Sequence, residues 1–206
     1  MSNIKKFRIV KFKSKPLFTA KNISISFGTR VVLRKIDILL NKGEMLGMLG
    51  SNGAGKSTLG VILAKRTSRA FVDTDLLIQN TQHKTLQNII NNKGYIALRK
   101  IEEDVLLNLD TQNTVIATGG SAVYSASAMA HLKKNGKVIF LDVSLPLLRK
   151  RIGDFSERGI AMDTHQSFSD LFEERSALYR QFADVRIDCA EYSQEEICVE
   201  IINRIS

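Results

Sequence analysis

Gly50, Gly55, Lys56 and Ser57 stand at the spacing G-x-x-x-x-G-K-[ST] within "GMLGSNGAGKST", and a further glycine lies at Gly53. Residues of these types at this spacing hold phosphate. Glycines let successive backbone N–H groups face an anion, a lysine at the seventh place reaches β and γ oxygens, and the serine hydroxyl can ligate Mg²⁺. Ala54 and Thr58 complete the cradle. The apolar run 45–49 precedes the loop and a helical pattern follows it, so strand, loop and helix are all expected, and the helix N-terminus adds a favourable field for anions. A nucleotide is the expected ligand.

A second group with chemistry is "FVDTD", which ends a short apolar run. On an extended segment Asp73 and Asp75 point to one side and Thr74 to the other, so both carboxylates can face the loop's phosphates.

These residues need a scaffold that presents loops at one edge. Period-2 stretches across 17–49, broken at "FGTR" and "NKGE", read as strands leading into the loop's own strand. Beyond the loop the rhythm alternates. A helix follows it, then the strand "AFVD", a largely helical stretch from Thr85 to Leu109, the strand "TVIAT", a helix from Ala122 to Lys134 and the strand "KVIFLDV". A helix from Leu145 to Ile152, a polar flap, a helix from Phe168 to Phe182, the strand "VRID" and a helix from Gln194 to Ile205 complete the pattern. Such alternation implies an α/β fold, a parallel sheet covered on both faces, with ligands at the carboxyl ends of the strands.

The chain of 206 residues, 44% apolar, is long enough for one main core and an appendage. Its formal charge of +9 is unevenly placed. Residues 1–43 hold 11 Lys/Arg against one acid, Asp37, whereas residues 44–206 hold 19 against 20. The charge therefore describes a basic, β-rich N-terminal extension, 1–43, rather than the nucleotide-binding domain, 44–206, and gives no reason to expect nucleic acid as a partner. No apolar run suits a membrane span or a signal peptide, so no membrane partner and a cytoplasmic location are expected. Cys189 and Cys198 lack metal-ligand spacing and read as inert thiols.

Two resemblances meet at the loop. Residues 17 to about 58, "LFTAKNISISFG" through "SNGAGKST", resemble the opening of an ABC-transporter ATPase, with Phe27 in the place of the adenine-stacking aromatic. That likeness stops there. Nothing downstream resembles the LSGGQ signature, and Asp142 in "VIFLDVS" is followed by Val143 rather than glutamate.

From residue 45 to the C-terminus the chain resembles shikimate kinase at several separated motifs in order. The resemblance implies a P-loop three-layer αβα sandwich like the nucleoside-monophosphate kinases, acting as a monomer that phosphorylates the 3-hydroxyl of shikimate with ATP and Mg²⁺, a step of aromatic amino acid biosynthesis. It implies that "FVDTD" is the family's D-x-D, with Asp73 in the Mg²⁺ shell beside Ser57, and Asp75 holding and deprotonating the hydroxyl. "LRKIEEDVL" matches F-R-x-x-E, with Leu98 for phenylalanine, Arg99 as a ligand of the substrate carboxylate and Glu102 as its orienting partner at i+3. "ATGGSAV" matches the three-glycine turn at Gly119 and Gly120, with Ser121 third. The flap "RIGDFSERGIA" matches the nucleotide lid, with Arg151 beside adenine and Arg158 over the transferring phosphoryl. The family's R-P-L-L has become Arg158-Gly159-Ile160-Ala161, and loss of the proline is expected to loosen that loop. "ERSALYRQFAD" matches the helix whose arginine, Arg175, grips the carboxylate from the other side.

Overall fold

The computed structural model describes residues 16–27, 30–41, 44–134, 136–152, 159–163, 165–190 and 192–205. Arg158 lies outside them. Contacts divide the chain into two compact units, one ending at Lys42 and the other spanning Gly43–Ile205. In the first, β1 (Pro16–Phe27) pairs with β2 (Arg30–Asn41) as an antiparallel hairpin whose register shifts at several points.

The second unit is a five-stranded sheet ordered β4-β5-β3-β6-β7, in which every neighbouring pair is parallel. Its strands are β3 (Met45–Leu49), β4 (Ala70–Asp73), β5 (Thr114–Ala117), β6 (Gly136–Asp142) and β7 (Val185–Asp188). Period-2 geometry sends alternate side chains to opposite faces, and here both faces are apolar. Leu46 and Met48 join Ile139 and Leu141 in one core, against α1 (Lys56–Thr67) and α7 (Gln194–Ile205). Met45 and Leu49 join Val138 and Phe140 in the other, against α4 (Ala126–Lys134), α6 (Phe168–Phe182) and the end of α3 (Leu86–Leu107). The remaining helices are α2 (Thr74–Gln82) and α5 (Leu145–Ile152). Cys189 and Cys198 are free and buried, and burial pushes their thiols up to about 12 and about 11.

The strand order places the site. The connection after β3 runs to β4 on one side and that after β5 runs to β6 on the other, so these neighbouring strands part at their carboxyl ends and open a crevice there, where ligands of open α/β sheets bind. The expected helix from Ala122 is divided: a 3₁₀ turn, Ala122–Tyr124, ends at an extended Ser125, whose hydroxyl accepts from Ala128 N at 3.0 Å and so starts α4 anew. The helix α2 was not expected at all. Gly94, with φ +82°, interrupts α3. Among the described residues no helix is long and apolar enough to cross a membrane.

Candidate active site

The loop between β3 and α1 turns through left-handed backbone at Gly53 (φ +82°) and Gly55 (φ +93°), a conformation that costs an L side chain and suits glycine. At Gly53 space matters as well, since an added Cβ would lie 2.6 Å from Ile152 Cγ1. The last turn of α5 is thereby seated on the loop, with Arg151 exposed beside it. Lys56 is only 9% exposed and donates to Gly50 O at 2.7 Å and Ser51 O at 3.1 Å. Burial lowers its pKa, opposed by the nearby charge of Asp75. Ser57 and Thr58 stay exposed at the mouth. A cavity of about 540 Å³ opens there, lined by Asn52, Gly53, Gly55, Lys56, Ser57 and Asp75 among others.

Asp75 lines this cavity and Asp73 meets it through Ser57, but the two are not placed by alternation along a strand. Asp73 closes β4, and its carboxylate caps α2 by accepting from Asp75 N at 3.0 Å and Leu76 N at 3.2 Å, so Asp75 stands in a helix's first turn. The other oxygen of Asp73 accepts from Ser57 Oγ at 2.6 Å. Thr74 turns the opposite way and accepts Gly119 N–H at 3.0 Å, tying this corner to the turn after β5. Burial raises the pKa of Asp75, countered by Lys56, and among the described residues its Oδ1 is buried without a hydrogen-bond partner.

The turn itself is glycine by necessity of space. A Cβ on Gly119 would fall onto Glu102 Oε1 and within 2.9 Å of Asp75 Oδ1, and one on Gly120 would meet Asn52 Oδ1, with Arg175 Nη1 at 2.9 Å. Gly120 O accepts from Tyr179 OH at 2.6 Å, and the Tyr179 ring stacks on Phe140. Ser121, at the third place, is buried and donates to Glu102 Oε2.

That bond corrects the expected pairing of Glu102 with Arg99. Glu102, 4% exposed, has its pKa pushed up to about 8, first by burial and then by the charge of Asp75. Arg99 instead lays its guanidinium 3.6 Å over the ring of Tyr124 and donates to Ala161 O at 3.4 Å. Arg175, 2% exposed, donates to the same carbonyl at 2.6 Å. Together Asp75, Glu102, Gly120, Ala161 and Arg175 enclose a small chamber of about 10 Å³ that adjoins the larger cavity.

Gly159 stands in the place of the family's proline. Gly159 adopts φ +60°, which proline cannot, and its N–H donates to Gln87 Oε1 at 2.9 Å. Sequence reasoning missed Asn52, Gln87 and Tyr124. An asparagine between two residues of a glycine-rich loop is the one signal available for the first, while the other two are brought in by distant elements.

A buried lysine on a phosphate loop, a carboxylate shared by two adjoining cavities and two arginines at the far end describe a kinase for a small anionic acceptor, and the comparisons agree. Residues 52–206 match the family described as shikimate kinase. The shikimate kinase of Sulfurihydrogenibium sp. (strain YO3AOP1) is 33% identical over 159 residues, 77% of this chain and 95% of that protein. Among solved structures, shikimate kinase from Acinetobacter baumannii in complex with shikimate superposes with a TM-score of 0.68 at 28% identity, covering 77% of this chain and 90% of that one. Thymidylate kinase from Candida albicans shares the fold alone, with a TM-score of 0.50 at 13% identity over 78% of this chain and 89% of its own. The chain belongs to the shikimate kinase family.

Proposed function

We propose that this chain transfers the γ-phosphoryl group of ATP to the 3-hydroxyl of shikimate, giving shikimate 3-phosphate and ADP. The observation that carries the reading is the position of Asp75: among the described residues it is the titratable side chain common to the nucleotide cavity and the chamber that ends at Arg175. Family membership supports the substrate, and the relative solved with shikimate supports an acceptor site in this fold.

Gly50, Gly53, Ala54, Gly55 and Thr58 cradle the phosphates, with Lys56 exchanging its loop carbonyls for β and γ oxygens. The unpaired Oδ1 of Asp75 orients the acceptor hydroxyl and takes its proton as the oxygen bonds to phosphorus. The bond to the bridging oxygen breaks, and ADP leaves. Arg175 and Arg99 hold the carboxylate, which replaces the carbonyl of Ala161 between them; a guanidinium fork fixes orientation as well as charge. Gly119 and Gly120 let the acceptor ring approach the backbone.

Ser57 and Asp73 put two hard oxygens within 2.6 Å of each other at the loop's mouth, a donor set that fits Mg²⁺, which binds through one or two carboxylates and substrate phosphates. Mg²⁺ held there would offset charge on the transferring phosphoryl. Arg151 serves the adenine and Arg158 the phosphoryl. The reading extends to a monomeric cytoplasmic enzyme, in two domains, 1–43 and 44–206, with the first an appended hairpin of the kind that opens an ABC-transporter ATPase. A coupled assay of ADP release, with and without shikimate, tests the activity; ADP release indifferent to shikimate would refute it.

A further inference from the structure

Asn52 is neither a glycine of the loop nor one of the phosphate ligands proposed above, yet it lines the chamber that also holds Asp75 and Arg175. It lines both the nucleotide cavity and the chamber, together with Asp75 and Gly120. Among the described residues its Oδ1 is buried without a hydrogen-bond partner, and it fills, together with Arg175 Nη1, the space that a Cβ on Gly120 would need. Leaving a buried amide oxygen unpaired carries its full desolvation penalty, and a ligand group that pairs with it removes that penalty. The neighbouring groups narrow what that ligand group is. Arg175 and Arg99 are the cations for a carboxylate, and Asp75 is the acceptor for the reacting hydroxyl. A neutral amide suits a neutral partner, and a hydroxyl both donates and accepts, so it satisfies either end of the amide.

We infer that the Asn52 amide binds a ring hydroxyl of the acceptor other than the one phosphorylated, and is therefore a specificity-determining residue. The inference rests on the kinase reading above. It implies that the phosphate loop itself, and not only the acceptor-binding helices, reads the acceptor's hydroxyl pattern.

The test uses the full chain and its Asn52→Leu variant, with the same number and branching of side-chain heavy atoms but none of them polar, with shikimate and with its 4-deoxy and 5-deoxy analogues. Asn52→Leu is expected to raise the KM for shikimate about tenfold, the range for one lost hydrogen bond, with kcat within threefold and the KM for ATP within twofold. With one of the two analogues the variant and the unaltered chain should show the same KM, because the partner hydroxyl is already gone. An unchanged shikimate KM, a change confined to ATP, or an equal penalty on shikimate and both analogues would each overturn the inference. If Asn52→Leu does not fold, Asn52→Ser is measured in the same way and should show a smaller rise with the same dependence on the analogue. Failure of the unaltered chain to phosphorylate shikimate is a separate outcome: it removes the kinase reading and this inference with it, whereas normal turnover with an indifferent Asn52 removes the inference alone.

Discussion

Arg99 and Arg175 share one acceptor, the carbonyl oxygen of Ala161, at 3.4 and 2.6 Å, with the ring of Tyr124 beside both guanidinium groups. Two guanidinium groups converging on a single oxygen form the geometry that a carboxylate would take over. Arg175 is the more deeply buried of the two, so it has more to lose. Truncating it to alanine should raise the KM for shikimate on the order of 10²-fold and Arg99→Ala about tenfold, the range for hydrogen bonds to charged groups. The KM for ATP should stay within about twofold. Steady-state kinetics with each substrate varied in turn checks this, and the reversed pattern would place the carboxylate elsewhere.

Asp75 lies within reach of the Lys56 charge and, among the described residues, keeps one oxygen unpaired. Asp75→Asn preserves shape and removes the proton acceptor, so kcat should fall roughly 10² to 10⁴-fold. ATP affinity, measured by titration, should change little. Turnover near normal would remove the assigned role.

Glu102 provides a pH test independent of turnover. In the fold it keeps its proton up to about pH 8, whereas the unfolded chain loses it near the ordinary 4.5. Between those values the native state binds the extra proton, so this group's contribution to stability falls as pH rises, by up to about 1.4 kcal/mol per unit, and levels off above 8. Below about pH 4.5 both states are protonated and the contribution is constant. Urea unfolding at pH 5, 6.5 and 8 should show the unaltered chain losing stability relative to Glu102→Gln across that range. A difference that is flat or rises with pH would show that the carboxyl is ionised in the fold.

The phosphate loop was legible because its geometry is written in consecutive residues, and α5, α6 and α7 because each buries one stripe at helical spacing. The helix α2 was not. It buries only Thr74 and Ile78, so its apolar period is weak, and the cap that starts it belongs to an aspartate that also reads as a strand end. The pairing of Arg99 failed for a different reason. Spacing of i to i+3 brings two side chains near each other, but the partners each finds, Ser121 for Glu102 and Tyr124 with Ala161 for Arg99, come from other elements. A single sequence records local geometry and leaves such long-range competition unspoken.

Adenine has two candidate platforms in the sequence, Phe27 and Arg151, one for each resemblance. Phe27 ends β1 opposite Arg30 in the hairpin and lies before the segment that matches the kinase family, which begins at residue 52. Arg151 lies inside that segment, one residue before Ile152, whose side chain packs on Gly53 of the loop. A cation set beside the loop in this way can stack on an adenine whose phosphates occupy the cradle, a contact of about 0.5–1 kcal/mol at an exposed site. Arg151→Ala should therefore weaken ATP binding about two- to fivefold, while Phe27→Ala leaves it within about twofold, roughly 0.4 kcal/mol. Calorimetric titration of ATP into both variants decides between them. A larger loss for Phe27→Ala than for Arg151→Ala would assign the base to the N-terminal hairpin and overturn the placing of the adenine beside Arg151.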